Sequence, residues 1–407
     1  MPRIAFLTAG GIAPCLSASI GALLGRYRDV TPDAEFIGYR HGYQGLLKGE
    51  YVKFPRSAVD NYQIFFQFGG SPIGNSRVKL TNVKDCIKRG LVTENQVPLA
   101  VAAEQLRTDK IDILHTIGGD DTNTTAAELA AYLHDNGYNL TVVGLPKTID
   151  NDVYPIKQTL GAWTAAEEGA RFFRNISNEN TTSRRQLIVH EVMGRNCGWL
   201  TAATAAEYRE LLKAWNFVPE IKLFYDCWDV DAVWIPEMSI DLDFECERLR
   251  VKMDHFDSVQ VFVSEGAGAD TIIRELEAQG QQVPRDAFGH VRLDEIDVGK
   301  WFAKQLKERL NAEKVLVQKS GYFARSAPPN QRDLELIRRC CNKAADAALQ
   351  GISGVAGEDE EHGDELRVIE FPRIKGGKPF NIEEPWFGRM LTEIGQPKGT
   401  KIVSTSH

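Results

Sequence analysis

No apolar run in this chain of 407 residues approaches the roughly 20 residues needed to cross a bilayer, so no membrane association is expected. A basic face is missing too. Forty-eight Lys and Arg stand against 56 Asp and Glu, a net charge of −8, and this disfavours a nucleic-acid partner. Basic pairs such as Arg184-Arg185 and Arg338-Arg339 occur, and a solvated helix face accounts for the second. The seven cysteines are scattered without metal-type spacing, and Cys340-Cys341 has no obvious partner. Reduced thiols in a cytosol are the expectation. Met1-Pro2-Arg3-Ile4 leads straight into a strand-like run, so no signal peptide is expected and the location is expected to be cytoplasmic. There is no internal repeat or low-complexity tract. What is present is 43% apolar and 26% charged residues, enough for a large core divided between two domains.

Strand and helix patterns alternate nearly throughout. The expected fold class is therefore α/β, with two Rossmann-like, three-layer domains and mostly parallel sheets. Arg3 to Ala9, Ile111 to Ile117, Leu140 to Leu145, Gln186 to Val192, Asp231 to Ile235, Ser258 to Val263 and Lys314 to Val317 read as strands. Leu16 to Arg28 and Asn196 to Tyr208 read as helices. The main boundary is expected around residues 155–165. Gly351 to Gly363, small residues followed by Glu358-Asp359-Glu360-Glu361, reads as an exposed loop. The tail beyond Arg367, with Pro379, Pro385 and Pro397, reads as a strand and then a loose wrap.

Two strand ends carry most of the chemistry. Ile117-Gly118-Gly119-Asp120-Asp121-Thr122 and Leu145-Pro146-Lys147-Thr148-Ile149-Asp150-Asn151-Asp152 bring four carboxylates and a lysine to the carboxyl edge of a sheet. In open parallel sheets ligands bind at that edge. Asp120 can hold Mg²⁺ through oxygen, and Lys147 can neutralise charge on a phosphate. Asp150 or Asp152 can take a proton from an attacking hydroxyl. Helix N-capping by Asp120 or Asp121 and a plain Asp-Asn turn are the competing explanations. Gly10-Gly11, between a strand and a helix, allows backbone N–H groups to approach an anion, although a glycine pair there also serves packing alone. Phe68-Gly69-Gly70-Ser71-Pro72-Ile73-Gly74-Asn75-Ser76-Arg77 can surround a phosphate with donors; a surface Ω-loop is the alternative.

Taken in order, these motifs resemble the phosphofructokinase family, in its pyrophosphate-dependent branch. The Gly-Gly-Asp-x and Thr-Ile-Asp-Asn-Asp turns are followed by Met193-Gly194-Arg195, by Glu265 after a strand, and by Gly321-Tyr322-Phe323-Ala324-Arg325. The resemblance implies the phosphofructokinase fold and reversible, Mg²⁺-dependent phosphate transfer from pyrophosphate to fructose 6-phosphate. It implies a phosphoryl-donor domain over 1–160, joined by part of 323–355. A sugar-phosphate domain would cover 161–322, and a C-terminal extension 356–407. Asp150 would be the base, supported by Asp152, and Asp120 would bind Mg²⁺. Gly10, Gly11 and Arg77 would meet the donor. Thr148, Ile149, Asp150, Met193, Gly194, Arg195, Glu265, Tyr322 and Arg325 would line the sugar-phosphate site, with Arg325 on the 6-phosphate. A homodimer or homotetramer is implied, with Arg184 or Arg185 offered across a subunit boundary.

Donor choice is implied at two positions. ATP-using relatives have glycine where Asp121 and Lys147 stand. Asp121 would repel the α-phosphate of ATP, and Lys147 would supply charge to a bare phosphate leaving group. The chain departs from the family pattern at Cys15 and Ser17 in the first turn, at Tyr322, and at Ser326-Ala327. Pro236-Glu237 reads as an ordinary strand end. The rival readings are an ATP-dependent 6-phosphofructokinase, a Gly-Gly-Asp kinase acting on dinucleotides or lipids, and a catalytically silent sugar-phosphate sensor. The motifs after residue 190 speak against the second, and the intact Asp150 and Asp152 against the third.

Overall fold

The computed structural model describes residues 1–280, 283 and 296–402, which fall into two compact units. Residues 1–164 with 325–378 make the first, and residues 165–324 with those from 379 on make the second. In chain order the strands are β1 Arg3–Thr8, β2 Glu35–Tyr39, β3 Tyr51–Lys53, β4 Ile113–Gly118, β5 Thr141–Pro146 and β6 Gln186–Val192. They continue with β7 Ala232–Trp234, β8 Ser258–Ser264, β9 Lys314–Lys319, β10 Gly354–Asp359 and β11 Glu365–Ile369. Among the described residues no helix is long and apolar enough to cross a membrane.

The first unit's sheet runs β11-β10-β5-β4-β1-β2-β3, parallel except at its two edge strands. Ile4 to Leu7 are wholly buried, as a parallel strand covered on both faces requires. Ala5 and Leu7 pack with Leu114, Val142, Leu106 and Leu129. His115, wholly buried on the other face against Phe6 and Tyr27, lies between the hydroxyl of Tyr27 at 2.8 Å and the carbonyl of Val143 at 3.2 Å. Burial holds its pKa down at about 4, so it is a satisfied neutral core residue. From β1 the order runs to β2 on one side and to β4 and β5 on the other, so the topological switch point lies between β1 and β4. Register sets Thr8 beside Ile117, and Gly118 beside Pro146. The turns leaving β1, β4 and β5 therefore emerge together at that switch point.

The second unit's sheet, β7-β8-β6-β9, is parallel throughout. Leu187, Val189, Val261, Trp234 and Phe302 form its core. Here too neighbouring ends coincide, with Val192 opposite Ser264 and Glu191 opposite Lys319.

Three expectations are corrected. Gly354–Asp359 is not an exposed loop but a largely buried strand, parallel to β5. Its acids are tolerated because they are paired. The Asp359 carboxylate takes a two-pronged bond from Arg373, and Glu358 meets Arg339 at 3.0 Å. The tail is not a loose wrap either: Pro385–Glu393 is a helix that uses its proline in the first turn, where no N–H is needed. The stretch expected as one extension from residue 356 is divided, through 378 with the first unit and from 379 with the second, and residues 403–407 lie outside the described residues.

Candidate active site

The turn after β1 is held from several directions. Ala9 N–H donates to Ile117 O at 3.0 Å and Gly10 N–H to Ser76 O at 2.9 Å, which ties the Phe68–Arg77 loop to it. Gly10 has φ of 82°, a left-handed conformation that costs glycine nothing. Lys147 reaches back from the end of β5 and donates from Nζ to Gly11 O at 2.9 Å. Arg325, at the end of the helix Gly321–Arg325, donates from Nε to Ile12 O at 2.9 Å. Its Nη2 lies so close to Gly11 that a Cβ there would sit 2.3 Å from it. Two cations thus bracket one backbone turn at the start of the helix Leu16–Val30, whose N-terminus adds a partial positive charge. Such a cradle suits a polyanion.

Lys147 is 4% exposed. Burial pushes its pKa down to about 8, and the Arg325 charge adds to this, while Asp150 and Asp120 oppose it. The neighbouring Cys15 thiol is itself driven upward by burial and stays protonated. The two carboxylates are therefore the real counter-charges of Lys147. Its backbone N–H donates to Gly118 O at 2.8 Å. The rest of the turn is equally fixed: Ile149 is buried, and Asp150 N–H donates to Thr148 Oγ1 at 3.0 Å. Thr159 donates from Oγ1 to Thr148 O at 2.8 Å and from its N–H to Asn151 Oδ1 at 2.8 Å. Asp152 O accepts from Lys378 N–H at 2.9 Å.

Gly119 is the N-cap of the helix Asp120–Asp135, so Asp120 and Asp121 are first-turn acids and neither caps it. Asp121 points outward and meets Lys79 Nζ at 2.6 Å. Sequence reasoning missed Lys79. The signal was there: buried Val78 and Leu80 alternate with Arg77 and Lys79, which sends both cations to the other side. Arg77 is exposed.

In the second unit the turn after β6 carries Met193, Gly194 and Arg195. Glu265, leaving β8, accepts at Oε1 from Arg195 N–H at 2.9 Å and from Gly194 N–H at 3.3 Å. One carboxylate thereby shapes the whole turn. Arg195 has an exposed side chain, and Tyr322 is 72% exposed. Glu237 is no mere strand end: buried, it accepts from Gly198 N–H at 2.9 Å at the start of the helix Trp199–Leu212, and from Phe380 N–H at 2.7 Å. The first unit thus gathers Gly10, Gly11, Arg77, Asp120, Asp121, Lys147, Thr148, Ile149, Asp150, Asp152 and Arg325, and the second Met193, Gly194, Arg195, Glu265 and Tyr322. Arg325, which the resemblance assigns to the sugar 6-phosphate, here lies against the Gly11-Ile12 turn.

Among the described residues no cluster of three or more His, Cys, Asp or Glu could hold a metal by itself. Magnesium rarely needs one, since it is usually held by one or two carboxylates together with substrate phosphates and water. Asp120, partly buried beside Lys147, fits an ion that arrives with its phosphate ligand.

The model of the phosphofructokinase family matches residues 3–348. The chain belongs to that family. It is 59% identical over 405 residues, covering 100% of this chain and 99% of the relative, to the pyrophosphate–fructose 6-phosphate 1-phosphotransferase of Methylomonas methanica. It is 54% identical over 404 residues, 99% of this chain and 98% of the relative, to a protein of the same name from Mastigamoeba balamuthi. Among solved structures, the pyrophosphate-dependent phosphofructokinase of Marinobacter aquaeolei shares the fold, with a TM-score of 0.70 and 18% identity over 100% of this chain and 94% of that one. The family match stops short of β10, β11 and all that follows.

Proposed function

We propose that this protein is a pyrophosphate-dependent phosphofructokinase, transferring phosphate between pyrophosphate and the 1-hydroxyl of fructose 6-phosphate to give fructose 1,6-bisphosphate and phosphate. Likeness over the full length to the enzymes of Methylomonas methanica and Mastigamoeba balamuthi supports the activity. The observation that carries the donor assignment is Lys147, a buried lysine whose ammonium sits on the Gly11 carbonyl. At this position ATP-using relatives have glycine.

In this reading the pyrophosphate lies over the Gly10-Gly11 turn, within reach of Lys147 and Arg325. Asp150 accepts the proton of the 1-hydroxyl as that oxygen attacks the near phosphorus in line, and the far phosphate departs with its charge met by Lys147. Asp152 supports Asp150 within the same pinned turn. Asp120 would hold Mg²⁺, which when bound neutralises charge on the phosphate oxygens. Asp121, on the outer side, repels the longer chain of a nucleoside triphosphate. The second unit's Met193–Arg195 turn with Glu265 recognises the sugar phosphate through its exposed donors and acceptors. Because the phosphate bonds broken and formed are similar in energy, the reaction runs readily both ways.

The protein is read as a cytoplasmic homodimer or homotetramer. If a neighbouring subunit receives an arginine from the start of β6, Arg184 is the one available. The Arg185 guanidinium is committed to Asp254 Oδ1 at 2.8 Å and to the carbonyls of Asn311 and Leu310, whereas the Arg184 side chain is 78% exposed.

The test is to supply purified protein with Mg²⁺ and fructose 6-phosphate and compare pyrophosphate with ATP. Turnover with pyrophosphate alone is expected. ATP turnover would sink the donor assignment, and silence with both would favour the sensor.

A further inference from the structure

Residues 371–378 lie beyond the family match, yet they run along the turn that holds Asp150 and Asp152. Tyr154 N–H donates to Lys375 O at 2.7 Å, and Lys375 N–H to Tyr154 O at 2.9 Å. Three residues further on, Lys378 N–H donates to Asp152 O at 2.9 Å. Both ends of this strap are pinned. Arg373 forks onto the wholly buried Asp359 carboxylate, Nη1 at 2.8 Å and Nη2 at 2.9 Å, and also pairs with Glu361 and Glu370. Lys378 donates to the Ile156 carbonyl and to Glu360 Oε1, the latter at 3.0 Å.

Between the pins lie two glycines that differ. Gly377 has φ of 75° and open space around it. Gly376 is not in the left-handed region, so its backbone would accept any residue, but its space would not. A Cβ on Gly376 would stand 2.1 Å from Asp120 Oδ2 and 2.7 Å from Asp120 Cβ and Cγ. Neither atom set can yield easily, because Asp120 opens a helix and the strap is fixed on both sides. Absence of a side chain at 376 is what leaves the Asp120 carboxylate where it is.

We propose that Gly376, held in place by the strap Arg373–Lys378, is a positioning residue that sets the place of the Asp120 carboxylate at the phosphoryl-donor site. The proposal rests on the reading of Asp120 as the residue that holds the donor's magnesium. It is tested on the full chain by calorimetric binding of magnesium pyrophosphate without the second substrate. Gly376→Ala is expected to weaken that binding by at least about tenfold, the range typical of disturbed metal-ligand surroundings. Fructose 6-phosphate binding should stay within about twofold, as for an independent site. Gly377→Asn, which keeps a left-handed backbone, should stay within about threefold of wild type. In an Asp120→Gly background, where neither the carboxylate nor the Cβ remains to be struck, Gly376→Ala should add less than about twofold.

Gly376→Ala binding like wild type, or exerting its full effect in the Asp120→Gly background, would overturn the proposal. If Gly376→Ala failed to fold while the double variant folded, the collision itself would be demonstrated; failure of both would overturn it. A folded wild type that bound no magnesium pyrophosphate would instead remove the donor reading, and the strap's role with it.

Discussion

The carboxyl ends of the two sheets use charge in opposite ways. In the first unit the charged groups are spent on their own surroundings: Lys147 on Gly11 O, Arg325 on Ile12 O, Asp121 on Lys79. In the second a single carboxylate, Glu265, organises the turn, while Arg195 and Tyr322 extend outward. On the proposed function the first pattern is a preorganised field, in which donors and charges already stand where phosphate charge would develop. The second leaves the Arg195 and Tyr322 side chains at the surface around one anchored turn. On the proposed function chemistry and selection fall to different ends, and each assignment can be broken separately.

The largest effect is expected at the base. Asp150→Ser should lower turnover by about 10³-fold or more, within the range of general base catalysis, with fructose 6-phosphate binding retained. Rapid-quench turnover and equilibrium binding on one preparation check this, and normal turnover would remove Asp150 from its role.

Next comes Lys147, where pH is the probe. With a pKa of about 8 in the free protein, its charge is lost above that value, so kcat/KM for pyrophosphate should fall on the alkaline side with an apparent pKa near 8. Lys147→Arg should move that fall upward, because guanidinium stays charged. An unchanged profile would contradict the role. The sign for stability is the reverse. Between about 8 and the ordinary 10.5 the unfolded chain binds the proton that the native protein has lost, so this residue favours folding increasingly as pH rises through that window.

Glu265→Ala tests the other end. It leaves the Gly194 and Arg195 N–H groups without their acceptor and should raise the KM for fructose 6-phosphate by roughly tenfold or more, with the KM for pyrophosphate little changed. Equal changes in both would dissolve the contrast between the two ends. The smallest effect is expected from Lys79→Met. Both partners of the Lys79–Asp121 pair are more than a third exposed, and such pairs contribute at most about 1 kcal/mol, so the KM for pyrophosphate should rise only severalfold.

How much of this was legible depends on range. Strands β1, β4, β5, β6 and β8 could be read from local apolar runs, and the turns after them from Gly, Asp and Lys in order. What failed was set by distant partners. Nothing near Glu358-Asp359 in the chain announces that Arg339 and Arg373 will neutralise them, so a buried strand reads as an acidic loop. Glu237 looks like any acid after a strand until Gly198, 39 residues earlier, turns out to need an acceptor. Gly376 sits in a Lys-Gly-Gly-Lys stretch that suggests a flexible turn, and its value appears only when Asp120 is found beside it.

The central claim, that Asp121 and Lys147 select the donor, is tested most directly by the ratio of kcat/KM for pyrophosphate to that for ATP, in wild type and in the variant carrying Asp121→Gly with Lys147→Gly. A ratio far above one that falls by at least about 10²-fold in the variant is the expected result, corresponding to roughly 2.7 kcal/mol of discrimination. A ratio that survives both substitutions unchanged would contradict the account.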